Sequence, residues 1–225
     1  MKQTFAKALR AAMIALLTIH MVSCEQFYIF DTEGSPSTTD NHPQAVDLGL
    51  SVNWASCNLG ATSPEECGDY YAWGETEKKT QYTQETYIYA NDIDGDGDVD
   101  KYTDIGSDIC GTMHDVASAK LGEAWRMPTQ EEIEELCEKC TWEWGTINGI
   151  NGEIVTGLNG KSIFLPAAGE MFDSKNYATG RYGTYWSGTT SGNYNAFRLF
   201  IEKGTSVCTD NRKFIGFSVR PVKEK

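Results

Sequence analysis

The stretch from Trp125 to Cys140, WRMPTQEEIEELCEKC, constrains this chain more than any other. Thr129 followed three residues later by Glu132 is the pattern of a capping box. The hydroxyl and the carboxylate each satisfy a backbone N–H that the helix leaves unpaired. Pro128 stands just before the cap, where the chain is still extended. Ile133, Leu136, Cys137 and Cys140 then recur at i, i+3, i+4 and i+7, one apolar stripe along a helix. Glu131, Glu132, Glu134, Glu135 and Glu138 fill the other faces, mostly in the first turns, where the helix dipole favours acids. The stretch therefore predicts a short amphipathic helix lying on a core that Trp125 enters just before it. The CxxC at its far end reads as packing. A zinc site needs two more Cys or His at suitable spacing, and a redox thiol needs the helix N-terminus to lower its pKa.

The chain opens on a segment outside the fold. Lys2, Lys7 and Arg10 precede a short apolar run, Ala11 to Ile19, too short to span a bilayer. Met21-Val22-Ser23-Cys24 then reads as a lipobox, so residues 1–23 are a lipoprotein signal peptide and Cys24 is the lipidation site. Residues 24–44 form a spacer rich in Gly, Ser, Pro, Thr and Asp, although Phe27-Tyr28-Ile29-Phe30 is apolar for a pure linker. Residues 45–225 form the domain. This places the protein on a bacterial outer membrane through lipid, with its surface or periplasmic side open. Removing residues 1–23, which carry three basic and no acidic side chains, takes the formal charge from −13 to −16. So acidic a surface repels phosphate backbones, and nucleic acid is excluded as a partner.

Within the domain, short strands alternate with turns. Val46 to Leu50 and Val52 to Ala55 alternate like strands, and Tyr70 to Gly74 is aromatic enough to be core. Met113 to Leu121 predicts a second short helix stopped by Gly122. Asn148-Gly149, Asn151-Gly152 and Asn159-Gly160 are turn signals. They frame Glu153 to Thr156 and Ser162 to Leu165 as a two-stranded unit, after which Pro166 to Gly169 predicts an exposed loop. Tyr182 to Val222 alternates apolar strands with polar loops, most economically paired antiparallel. Six cysteines remain beyond Cys24. They pair in fifteen ways or stand as small buried hydrophobes, and Cys57 with Cys67 flank a loop that a disulfide would close. His114 has no evident partners and reads as a surface or capping residue.

One segment carries a sharp chemical signal. Asp92, Asp94, Asp96, Asp98 and Asp100 alternate with Ile93, Gly95, Gly97 and Val99. In the frame of an EF-hand loop, Asp92, Asp94 and Asp96 take positions 1, 3 and 5, with Gly97 as the turn glycine at 6. Asp98 offers its carbonyl at 7 and Asp100 stands at 9. Calcium wants hard oxygens around a sharp turn, and five acids in nine residues repel one another without a cation. Thr103 at position 12 departs from the pattern, since a bidentate acid belongs there and Asp104 comes one residue late. The expected cofactor is Ca2+.

Arg126-Met127-Pro128-Thr129-Gln130-Glu131-Glu132-Ile133-Glu134 resembles the R-L-P-T-E-x-E-W-E run of the formylglycine-generating, sulfatase-modifying fold, a branch of the C-type lectin-like architecture. Ala45 to Glu75, Trp125 to Gly169, and Gly216 to Val222 resemble the Fibrobacter succinogenes major paralogous domain of bacterial lipoproteins. The resemblance spans roughly Ala45 to Val222. It implies an α+β fold of C-type lectin-like type, two short helices packed on antiparallel strands with long loops. It says little about activity, because such folds host many functions.

Three functions compete: a binding module, an enzyme, and a structural adhesion subunit. Resemblance to the oxygen-dependent formylglycine generators implies a copper-bound cysteine pair in the C-terminal region, where this chain has only Cys208, and that family's arginine- and glycine-rich run before the last strand is absent. No G-x-S-x-G or H-E-x-x-H occurs. Paired carboxylates for glycoside chemistry stay open. The sequence thus favours a non-enzymatic binder of a glycan or protein ligand. Its candidate residues lie in the C-terminal loops: Asn193, Tyr194, Asn195, Arg198, Asp210, Asn211 and Arg212, with Tyr182, Tyr185 and Trp186 in the preceding strand. Tyr185 and Trp186 are adjacent in that strand, which predicts one buried and one exposed. The sugar-binding E-P-N, Q-P-D and W-N-D triplets of true C-type lectins are missing.

Overall fold

The computed structural model describes residues 43–225; the leader, Cys24 and all but the last two spacer residues lie outside them. The first strands, β1 (Ala45–Val46) and β2 (Asn53–Ala55), are short. A long stretch with few strands follows, interrupted by a two-residue hairpin pair, β3 (Ala90–Asn91) and β4 (Lys101–Tyr102). Two helices come next, α1 (Val116–Leu121) and α2 (Gln130–Lys139). The rest is strand: β5 (Thr141–Ile147), β6 (Ile150–Thr156) and β7 (Ser162–Pro166), then β8 (Glu170–Phe172) and β9 (Lys175–Tyr177). Last come β10 (Tyr182–Thr190), β11 (Asn195–Glu202), β12 (Thr205–Arg212) and β13 (Val222–Lys223). The strands form three three-stranded sheets, β1-β2-β13, β5-β6-β7 and β10-β11-β12, and two hairpins, β3-β4 and β8-β9. Each pairing of these strands is antiparallel. The architecture is of the α+β or mainly β kind.

The helices begin where their caps dictate. Thr129 accepts from the Glu132 N–H and Glu132 returns a bond to the Thr129 N–H, closing the capping box of α2. Ile133 and Leu136 are buried against Leu199 and Ile201 of β11, so α2 covers one face of the β10-β11-β12 sheet. Cys140 joins this core and Cys137 packs against it. α1 is shorter than its sequence pattern. The buried Asp115 carboxylate accepts from the N–H groups of Ala117 and Ser118, so the helix starts at Val116 rather than Met113. The six cysteines among the described residues, Cys57 and Cys67 included, are free thiols.

Two cores meet at β10. Tyr185 belongs to the first, with Trp54, Val155, Leu165 and the α2 residues. Trp186 belongs to the second, with Trp73, Met127 and Phe217. The two side chains do point to opposite faces, yet both are buried, contrary to the expectation of one exposed ring. β10 is covered on both sides, which a sequence pattern of strand alternation does not reveal. Two other expectations change for related reasons. Ala167, Ala168 and Gly169 are buried, because Gly169 bridges Gly183 of β10 and a Cβ there would strike the Tyr177 carbonyl. The segment from Phe214 to Pro221 is extended but joins its neighbours through single bridges, with Tyr71, Met171 and Tyr185. Only Val222 and Lys223 form a ladder, on β2.

The interior also holds a guanidinium whose three nitrogens each have a partner. Arg220 is buried, and its guanidinium donates to Asn58 Oδ1 (2.8 Å), the Ala55 carbonyl (3.0 Å) and the Phe164 carbonyl (2.8 Å). Burial lowers its pKa to about 10, which leaves it charged at neutral pH. These bonds tie the first sheet, β7 and the C-terminal segment together.

Candidate functional site

The aspartate-rich loop is the tip of the β3-β4 hairpin, closed by the pairs Ala90–Tyr102 and Asn91–Lys101. It has strands, not helices, on its flanks. Gly95 and Gly97 take φ of 79° and 95°, which lets the chain fold back on its own carboxylates. Asp92 accepts from the N–H groups of Gly95 (2.7 Å) and Gly97 (3.0 Å), and Asp100 from that of Ile93 (2.6 Å). The result brings one carboxylate oxygen each from Asp92, Asp94 and Asp100 within 4.8 Å of one another, all three residues exposed. Oxygens bound to one calcium at about 2.4 Å lie no farther apart than about twice that, so the spacing of these three could hold a divalent cation. Asp96 and Asp98 are not in the group; the Asp96 carboxylate accepts from the Asp98 N–H instead. Thr103 is taken up by Asn91 Nδ2 (3.0 Å), and Asp104 accepts from the Gly106 N–H, so neither supplies the missing twelfth position.

Beneath this loop lies an aromatic cluster of Tyr82, Tyr87 and Tyr102, against which Tyr89, Val99 and Tyr194 pack. Tyr194 comes from the β11 side of the fold. Its hydroxyl donates to the Asp100 carbonyl (2.9 Å), and its ring meets that of Tyr102 edge to face at 5.1 Å. The aspartate loop and the turn before β11 are thereby one continuous surface.

The remaining C-terminal candidates divide into exposed groups and groups already occupied. Asn193 and Arg212 are exposed, and the Arg212 guanidinium lies 5.8 Å from the centre of the Tyr194 ring. Asp210 is occupied. It accepts from Ser191 Oγ (2.7 Å) and Asn195 Nδ2 (3.2 Å), and the Ser191 bond chiefly holds its pKa below the usual carboxylate value. Asn195 gives its Nδ2 to the same pairing while its Oδ1 is buried without a donor, and Asn211 accepts from the Arg212 N–H. Lys213, which the sequence did not single out, fixes the turn. Its ammonium donates to the carbonyls of Gly192 (3.1 Å) and Asn193 (3.2 Å) and lies 4.5 Å from the Trp73 ring centre. Burial lowers its pKa to about 8, partly offset by Asp104.

Arg198 stands apart from this tip, on β11. Its guanidinium lies 5.1 Å from the ring centre of Phe200 and 5.2 Å from that of Phe217. Its Nε is buried without an acceptor. Burial lowers its pKa, and the nearby Glu170 and Tyr182 act the other way. Glu170 opens β8, and burial raises its pKa against the pull of Arg198 and the Tyr182 hydroxyl. Nothing in the spacing of Glu170 announces this meeting, because β8 reaches β10 through a bridge at Gly169.

His114 bonds the Tyr89 hydroxyl through Nδ1 (2.8 Å) and is a structural partner of the aromatic cluster. A concavity of about 400 Å³ lies elsewhere, between Leu59, Asp69, Tyr71, Lys78, Lys120 and Leu121. Its charged rim is closed on itself by Lys78–Asp69 (3.0 Å) and Lys120–Glu77 (2.7 Å) ion pairs. No helix among the described residues is long and apolar enough to cross a membrane. No family model, curated protein or solved structure matches the chain.

Proposed function

We propose that this is a lipid-anchored envelope lipoprotein whose lectin-like domain binds a glycan or protein ligand through the loops joining its C-terminal strands. Two helices ahead of a strand-rich C-terminal half support the C-type lectin-like reading, and the lipobox at Cys24 supports anchoring to the outer membrane. The observation that carries the binding reading is the bond from the Tyr194 hydroxyl to the Asp100 carbonyl. It joins an exposed loop built for a divalent cation to an exposed turn bearing Asn193 and Arg212, on an interior of tightly packed aromatic rings. Loops on a rigid scaffold carry binding residues at little cost to stability. Calcium held by Asp92, Asp94 and Asp100 would stiffen that surface; the domain is a binder, not an enzyme.

The test is a screen of the protein against glycans and surface proteins. For the ligand found, Tyr194→Ala and Arg212→Ala each weaken binding by about 1–2 kcal/mol while Arg212→Ala leaves the melting temperature nearly unchanged. Undiminished affinity in the double variant, with the fold intact, moves the site elsewhere. Labelled palmitate enters the wild type and not Cys24→Ala; equal incorporation by both removes the anchor from the proposal.

A further inference from the structure

The cysteines among the described residues fall into separate neighbourhoods. Cys110 packs against the second core, and the Cys57 thiol donates to the Ala61 carbonyl (3.4 Å) just after β2. Cys140 belongs to the first core, and Cys137 and Cys208 pack on it. Cys137 and Cys208 come from α2 and β12, elements far apart in the chain that meet in the fold.

Register and helical phase turn these two side chains toward each other. Cys208 stands directly opposite Leu199, so it lies on the face of the sheet that α2 covers. On the helix, successive positions are about 100° apart. Glu135 and Glu132 hold one flank of α2 toward the first sheet. Glu135 accepts from the Ser51 N–H (3.0 Å), and Glu132 pairs with Arg126 (2.6 Å), which also pairs with Glu224 (2.6 Å) just after β13. Cys137, two positions on from Glu135, points to the opposite flank, the one left for β12. Burial first, and then the neighbouring Cys208 thiol, push the Cys137 pKa up to about 12. Cys140 is the buried C-cap residue, whereas Cys137 and Cys208 are half-buried and open to a small reagent.

We propose that Cys137 and Cys208 are a redox pair, which a disulfide oxidant converts into a staple between α2 and β12. The Cys137 thiolate attacks one sulfur of a small-molecule disulfide and displaces the other as a thiolate. The Cys208 thiolate then attacks the Cys137 sulfur of the mixed disulfide, forms the Cys137–Cys208 bond and releases the second small thiol. The pair loses two electrons and two protons, and the oxidant becomes two thiols. Burial keeps both cysteines protonated at neutral pH, so the step is slow there and quickens at alkaline pH.

β12 has a strand neighbour on one side only, β11. The staple ties this outer strand to the helix above it, and with it the Asp210 to Arg212 end that borders the candidate tip. It also closes a long loop of chain, which restricts the unfolded state and stabilises the fold.

The experiment uses the full chain, purified reduced and then treated in native buffer with oxidised glutathione at mildly alkaline pH. Tryptic mapping without reduction should find the Cys137 peptide joined to the Cys208 peptide; cleavage after Lys139 separates Cys137 from Cys140. The oxidised protein should melt roughly 5–15 °C above the reduced one. That difference should vanish in Cys137→Ser and in Cys208→Ser and persist in Cys140→Ser. The mapping is done on the wild type, so it decides the pairing even if a serine variant fails to fold. A Cys137–Cys140 or Cys57–Cys67 link in its place, or thiols that all stay free, overturns the proposal. A Cys137–Cys208 link with no rise in melting temperature upholds the pairing and overturns its role as a staple.

Discussion

β6 and β11 are each the middle strand of a three-stranded antiparallel sheet, and each carries a charged residue with no protein partner. They differ in where that residue points. Glu153 of β6 is 2% exposed, turned to the same side as Val155 in the first core and flanked across the ladder by Trp144 and Leu165. Arg198 of β11 is half-buried on the face turned away from α2, under the influence of Glu170. Burial alone raises the Glu153 pKa to about 7, with no opposing charge to lower it. The contrast teaches that a missing partner has two meanings. On β6 it is a cost that protonation relieves; on β11 the rings of Phe200 and Phe217 stand against the guanidinium in place of an acceptor.

The strongest way to break this comparison uses Arg220, a buried charge whose partners are all present. Arg220→Met would leave Asn58 Oδ1 and two carbonyls without their donor, and it should destabilise the fold by about 3–5 kcal/mol in denaturant unfolding. A loss below about 1 kcal/mol would mean that partnered and unpartnered charges cannot be told apart by stability in this protein.

Glu153 gives the next effect, and its sign is fixed by linkage. The folded pKa, about 7, lies above the ordinary 4.5, so the fold holds the proton more tightly than the unfolded chain does. The stability from the protonated form is full below about pH 4.5 and is lost as pH rises through about 7. Glu153→Gln should therefore flatten the decline between those values and leave the variant more stable than the wild type at pH 8 by about 1–3 kcal/mol. Parallel melting profiles for the two proteins from pH 4.5 to 8 would show that a partner reaches this carboxylate in solution.

The smallest effect asks the same question of a loop. Asp92, Asp94 and Asp100 are exposed, so water screens their repulsion and a cation adds only a modest gain. With a dissociation constant of about 10⁻⁴ M, 1 mM calcium stabilises the fold by about 1.4 kcal/mol. The melting temperature should rise by roughly 3–5 °C. Asp94→Ala with Asp100→Ala should abolish the rise, whereas Asp96→Ala should leave it. A rise that depends on Asp96 instead would restore the EF-hand frame over the observed grouping.

The legibility of each region follows from how far its contacts reach along the chain. The capping box of α2 spans four residues and its apolar stripe eight, so the helix is legible directly from Thr129 to Cys140. The aspartate loop is nearly as local. Its turn glycines and alternating acids mark a tight acidic turn, and the structure decides which three carboxylates, Asp92, Asp94 and Asp100, converge. α1 was misplaced by three residues because the capping role of Asp115 depends on burial that no local pattern displays.

What the sequence by itself determined are the features written in short-range periods: two short helices, turn-punctuated antiparallel strands and an acid-rich, glycine-turned loop. Tertiary structure decided everything that rests on which faces are covered. It buried both Tyr185 and Trp186, because cores lie on either side of β10. It placed Tyr194 against Asp100, 94 residues away in the chain. It also turned Glu153 inward and Arg198 outward, although both occupy middle strands. Strand alternation fixes which side chains share a face, but only the packing of one sheet on another fixes which face meets water.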